Sequence, residues 1–160
     1  MIPRRPVCAL AMATCLAAAG CGSGTSSSSA GHVDFKTGFA TSHAAFAGLA
    51  TSIAKDLSSA GSKSDKQLAK EFGALATRAD QATSQLKGLT APSKYSKRLT
   101  SLVAGFDSVQ ADLSKIATAA TKNDATTAQV AARALLNDAA KVKSADASLS
   151  KDLGITKSHS

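Results

Sequence analysis

The sequence predicts an all-α protein, an antiparallel up-down-up-down four-helix bundle, and three observations predict it. Apolar residues recur at alternating spacings of three and four, the pattern of helices packed along a common seam. Glycine and polar capping residues punctuate that pattern at regular intervals. The intervening linkers are so short that consecutive helices must lie side by side and run in opposite directions.

The helices follow in order. The first, over 34–60, carries Phe35, Phe39, Phe46, Leu49 and Ile53. The second, over 65–88, repeats the seam through Leu68, Phe72, Leu75, Ala79, Ala82, Leu86 and Leu89. The third, over 93–120, runs without a break through Tyr95, Leu99, Leu102, Phe106, Val109, Leu113, Ile116 and Ala120. The fourth, over 124–153, uses Ala128, Leu135, Ala139, Val142, Leu149 and Leu153. Each is roughly 36 to 45 Å long at 1.5 Å per residue. Abundant alanine favours helix throughout.

The boundaries carry their own chemistry. Gly61, Gly88 and Gly154 each follow an apolar-periodic stretch, where a left-handed residue ends a helix at little cost, and Leu89 and Ile155 supply the apolar residue that such an ending places next. Ser64-Asp65-Lys66-Gln67 is a capping-box pattern, and Pro92-Ser93 suits a helix opening. Ser62-Lys63-Ser64-Asp65 and Thr121-Lys122-Asn123-Asp124 look alike, and Gly38-Phe39 matches Gly105-Phe106. Either the two hairpins arose by duplication or any helical hairpin selects such caps.

The bundle accounts for 32–156 only, with 157–160 expected as a disordered tail. Residues 1–20 have the parts of a secretory signal: Arg4 and Arg5 at a positive start, an apolar stretch from Val7, and small residues before a cut. That stretch is too short for a permanent span, which needs roughly 20 apolar residues. Leu16-Ala17-Ala18-Ala19-Gly20-Cys21 resembles the lipobox of bacterial lipoproteins, with Ala18 where leucine is usual. The resemblance implies cleavage between Gly20 and Cys21, a lipid such as palmitate on the Cys21 sulfur, and placement on the extracytoplasmic face of the cell membrane. Ordinary cleavage near Ala19, leaving Cys21 as a free thiol, is the alternative.

Cys8 and Cys15 leave with the signal, so no disulfide framework is available to the folded part. The domain must depend on its apolar core. Residues 21–31 form a Gly/Ser-rich linker that behaves as a flexible coil of about 17 Å between the lipid and the first helix.

Removing Arg4 and Arg5 takes 19 basic residues to 17 against 11 acidic, a net charge of +6. In an up-down-up-down bundle, the start of the first helix, the second linker and the C-terminus share the lipid-proximal end. Lys36, Lys87, Lys94, Lys97, Arg98, Lys151 and Lys157 gather there against Asp34 and Asp152. This basic end is expected to face the membrane and rest on anionic headgroups, each nearby cation adding up to about 1 kcal/mol. A solvated cap that aids solubility is the plainer reading of the same charges. Nucleic acid is a poor partner, because export removes the opportunity and no aromatics interleave the cations.

Gly38, Gly48, Gly73 and Gly105 lie inside helices, where each costs about 1 kcal/mol against alanine. They mark either close helix approach or a small apolar cavity lined by Phe39, Phe46, Phe72 and Phe106 that could admit a lipid chain.

Catalytic motifs are missing from the sequence. His32, His43 and His159 are the only imidazoles and Glu71 is the only glutamate, so the Glu-x-x-His pairs of di-iron bundles are excluded. No metal site, haem-attachment motif or phosphate loop is expected, and no cofactor beyond the covalent lipid. Asp146 falls where the fourth seam calls for an apolar residue, which means either a drifting seam or a buried functional carboxylate. The expected function is that of a non-enzymatic binding or scaffolding module of the cell envelope, with an envelope protein or wall polymer as partner. The alternative is a carrier or sensor of a small apolar ligand held in the bundle core.

Together, the lipobox, the Gly/Ser linker and the bundle pattern resemble the small, uncharacterised, alanine-rich helical-bundle lipoproteins of high-GC Gram-positive bacteria. The likeness transfers no active-site residue. In a lipoprotein-processing host, radiolabelled palmitate is expected to label the protein, and Cys21→Ser is expected to abolish the label; labelling that survives the substitution contradicts the lipobox reading.

Overall fold

The computed structural model describes residues 34–155. The signal segment 1–20, Cys21, the 21–31 linker, His32, Lys157, His159 and the 157–160 tail lie outside the described residues. Among the described residues there are four α-helices and no strand: α1 (Phe35–Ser59), α2 (Asp65–Lys87), α3 (Ser93–Thr121) and α4 (Ala125–Asp152). A single 3₁₀ turn, Ala60–Ser62, follows α1. None of these helices is long and apolar enough to cross a membrane.

The predicted seams form the core. Phe39, Phe72, Leu86, Leu102, Leu113, Leu135 and Leu149 are essentially sealed from solvent. Close backbone approaches concentrate between α2 and α3 and between α3 and α4, and are sparser where α1 meets α2 or α4. Side-chain size explains the difference. Alanines such as Ala76, Ala79 and Ala82 let α2 draw in, whereas α1 presents Phe35, Phe39 and Phe46 and stands off on their rings. Gly105 is the tightest point: a Cβ there would lie 2.8 Å from Val142 Cγ2 across the α3–α4 contact. Gly48 is different, because a Cβ there would meet nothing within 4 Å.

Helix ends follow the expected chemistry in part. Ser64 and Gln67 form the capping box, with Ser64 N donating to Gln67 Oε1 at 3.0 Å and Gln67 N to Ser64 Oγ at 3.4 Å. Gly154 is left-handed at φ 63°, with Ile155 N reaching Ser150 O at 2.9 Å and Gly154 N reaching Lys151 O at 3.1 Å. These are the paired bonds of a Schellman ending.

The other two glycines correct the expectation. Gly88 stays right-handed at φ −75°, and Gly61 lies inside the 3₁₀ turn. The left-handed residue that ends α3 is instead Asn123, at φ 54°, with Asn123 N bonded to Ala120 O and Asp124 N to Ala119 O. Asparagine tolerates this region because its short polar side chain is one of the few that fits there. Asp124 then caps α4, accepting from the Thr127 amide at 3.0 Å and the Thr127 hydroxyl at 2.6 Å. Those bonds hold its carboxyl below the usual carboxylate value. The caps are therefore Ser64 and Asp124, one place out of step in the two similar tetrapeptides, so the two hairpins do not use them equivalently.

The 88–92 connection also departs from a simple tip loop. Lys87 reaches Asp107, roughly 20 Å along α3 from Ser93 at 1.5 Å per residue. α2 therefore stops short, and Leu89 and Ala91 pack against the core beyond its last turn.

Two glycine substitutions separate propensity from packing. Gly48→Ala is expected to stabilise the protein by about 0.5 to 1 kcal/mol, because nothing opposes the added methyl. Gly105→Ala is expected to lose that gain to the clash with Val142 and to lower the thermal midpoint, as calorimetry on both variants would show.

Candidate functional site

Two regions collect the polar side chains that a function could use: the basic end where α1 begins, and a cross-link between α1 and α4.

At the basic end the starts of α1 and α3 meet the end of α4. The Phe35 and Tyr95 rings stack with centroids 5.8 Å apart, and Tyr95 Oη donates to the Asp152 carbonyl at 3.3 Å. Arg98 pairs with the Asp152 carboxylate. Lys36 Nζ lies 3.8 Å from where a Cβ on Gly154 would sit, and Lys94 Nζ stands 4.6 Å above the Tyr95 ring. Lys36, Lys94, Lys97 and Lys151 are all exposed and, among the described residues, none forms an ion pair.

Lys87 does not belong with these four. It sits back from the tip and bonds Asp107 at 3.0 Å, a carboxylate that sequence reasoning had left out of the balance. Arg98 is likewise neutralised, so the free charge is carried by four lysines. Lys94 and Lys97 lie in the opening turns of α3, where the helix dipole disfavours cations. No side chain caps that terminus.

The second region was missed as a unit. His43 on α1 was one of three scattered imidazoles, and Asp146 was an anomaly in the α4 seam. In the structure Asp146 is buried, between Val142 and Leu149 on the core face of α4, so the seam does not drift. His43 Nδ1 lies 2.7 Å from Asp146 Oδ2, and Ser150 Oγ lies 3.2 Å from the same nitrogen. An ionised carboxylate can only accept, so Nδ1 carries the proton and Nε2 is left as the ring's acceptor. Asp146 Oδ1 is buried with no hydrogen-bond partner. Loss of water pushes the Asp146 carboxyl above the usual carboxylate range, against the opposing pull of His43.

This trio is not a nucleophile relay. In such a relay the hydroxyl meets the ring nitrogen opposite the one held by the carboxylate. Here Asp146 and Ser150 share Nδ1, so the imidazole cannot take a proton from the serine and pass it on. The only sequence signal for the pairing was a carboxylate in an apolar register. Its partner is more than a hundred positions away, and nothing local marks it.

The four phenylalanines proposed for a cavity are all buried, and two of them pack directly on each other. Phe46 and Phe106 stack with centroids 3.9 Å apart, which leaves no room between the rings. A cleft of about 250 Å³ does open on the α1–α2 surface, lined by Ser52, Lys55, Asp56, Glu71, Ala74, Leu75 and Arg78, with none of the four phenylalanines in its wall. Beside it, Lys63 bridges Asp56 and Glu71 and ties the α1–α2 turn together. Among the described residues no three metal-ligating side chains come together.

The chain matches no protein family, and neither curated proteins nor solved structures give a match to it. The site must be read from its own chemistry. Phe46→Ala, which removes half of the stacked pair, is expected to cost about 3 kcal/mol or more in a denaturant titration, with α1 the first helix to lose protection.

Proposed function

We propose that the protein is a lipid-anchored, non-enzymatic binding module on the extracytoplasmic face of the cell membrane, held with its basic end against anionic headgroups. The observation that carries this reading is the convergence of Lys36, Lys94, Lys97 and Lys151 at the end where α1 begins. Cys21 precedes α1 by only a short Gly/Ser-rich stretch, so a lipid on its sulfur would keep that end close to the bilayer. Two acyl chains suffice for stable anchoring, whereas one gives only marginal binding. The cations therefore need not anchor the protein. Their contribution is orientation, up to about 1 kcal/mol each near an anionic surface.

Lys94 and Lys97 strengthen the case. Cations in the opening turns of a helix are unfavourable in water, and an anionic surface reverses that cost. With the basic end turned to the membrane, the far end and the long helical sides face outward, where an envelope protein or a wall polymer would dock. The buried phenylalanines, with Phe46 stacked on Phe106, favour this reading over a carrier of an apolar ligand.

Vesicle sedimentation with the Cys21→Ser protein at low salt tests the electrostatic half. Binding is expected on vesicles containing phosphatidylglycerol and not on pure phosphatidylcholine, and Lys94→Glu with Lys97→Glu is expected to weaken it more than tenfold, at about 1 kcal/mol per cation. Equal affinity for the two vesicle types would rule the orientation out.

A further inference from the structure

We infer that His43, Asp146 and Ser150 form a proton-operated latch that fastens α1 to α4 and loosens as pH rises. This goes beyond the proposed function and does not rest on it.

The geometry singles out this contact. Among the described residues, the only side-chain hydrogen bonds between α1 and α4 are those of His43 with Asp146 and Ser150. α1 also has the sparsest close backbone contact with its neighbours. It is the helix nearest Cys21 in sequence, and it covers the buried phenylalanine seam. A weakly seated helix is thus held to α4 by one polar cross-link.

That cross-link is incomplete without a further proton. Asp146 is 9% exposed; one carboxylate oxygen meets His43 and the other is buried with no partner. An ionised carboxylate in that position is poorly compensated by a neutral imidazole. Proton uptake by the buried carboxyl removes that uncompensated charge while the 2.7 Å contact with His43 stays in place. The pair binds that proton as a unit.

No other charge competes for the role. Arg98 of α3 is committed to Asp152, Lys87 of α2 to Asp107, and Lys141 of α4 to Asp138. Lys36 of α1 lies against Gly154, at the extreme end. His43 is the one ionisable side chain that bears on the Asp146 carboxyl.

The sign follows from linkage. Burial raises the Asp146 carboxyl in the folded state above its ordinary value, so the docked pair holds a proton more tightly than the undocked one. Stability from such a group is present at lower pH and is lost as pH rises. Docking of α1 therefore takes up a proton, and alkaline conditions release the helix.

Hydrogen exchange on the processed protein in neutral detergent tests this, at about pH 4.5 and about pH 8, a range that runs upward from the ordinary aspartate value, after correction for intrinsic exchange. In the wild type, α1 is expected to be about tenfold better protected at the lower pH, with the centres of α2 and α3 unchanged. Asp146→Asn, which removes the titrating carboxyl, is expected to bring that difference below about twofold. Equal α1 protection at the two pH values in the wild type overturns the latch, as does a tenfold difference that survives in Asp146→Asn. Asp146→Asn keeps the shape of the side chain, and the wild-type comparison decides even if a variant fails to fold.

Discussion

A core built largely from alanine can be filled only if helix backbones come close, and the rest of the structure depends on that constraint. α2, α3 and α4 meet it with small residues on their facing sides, down to Gly105 against Val142. α1 meets it differently, filling the wider gap with phenylalanine rings, one of which stacks on Phe106. The domain is thus three tightly seated helices and one seated on large side chains. Without cysteine among the described residues, nothing covalent reinforces that arrangement.

The helix spans were legible because each seam is long and each boundary has local chemistry. The capping box at Ser64 and the glycine ending at Gly154 could both be read from a few neighbouring residues. The left-handed ending at Asn123 carries no glycine to mark it, and asparagine suits a helix start as well as a helix end. Gly88 misled for the opposite reason: α2 stops early, the 88–92 segment stays against the core, and no left-handed turn is required there.

The site residues divide along the same line. Cations near helix ends could be placed once the order of helices was known, and Lys36, Lys94, Lys97 and Lys151 are exposed there without ion-pair partners among the described residues. Arg98 and Lys87 are neutralised by carboxylates whose reach depends on helix register, which periodicity does not specify. His43 and Asp146 are a long-range pair, and only the packed helices bring them to 2.7 Å. The seam anomaly at Asp146 was the visible half of that pair. A buried carboxylate persists in such a place only with a partner, and here the partner comes from the helix that most needs holding.

The proposed function gives a tethered bundle with its free cations at one end a preferred attitude on an anionic surface, and attitude decides which faces a partner can reach. The most direct test places a fluorophore at residue 97 or at residue 122 of the lipidated protein, on anionic vesicles containing headgroup-quenching lipid. The account predicts strong quenching at 97, in the opening turns of α3, and little at 122, just past the end of the same helix. Equal quenching at both positions would mean that the bundle has no fixed attitude and would contradict the account.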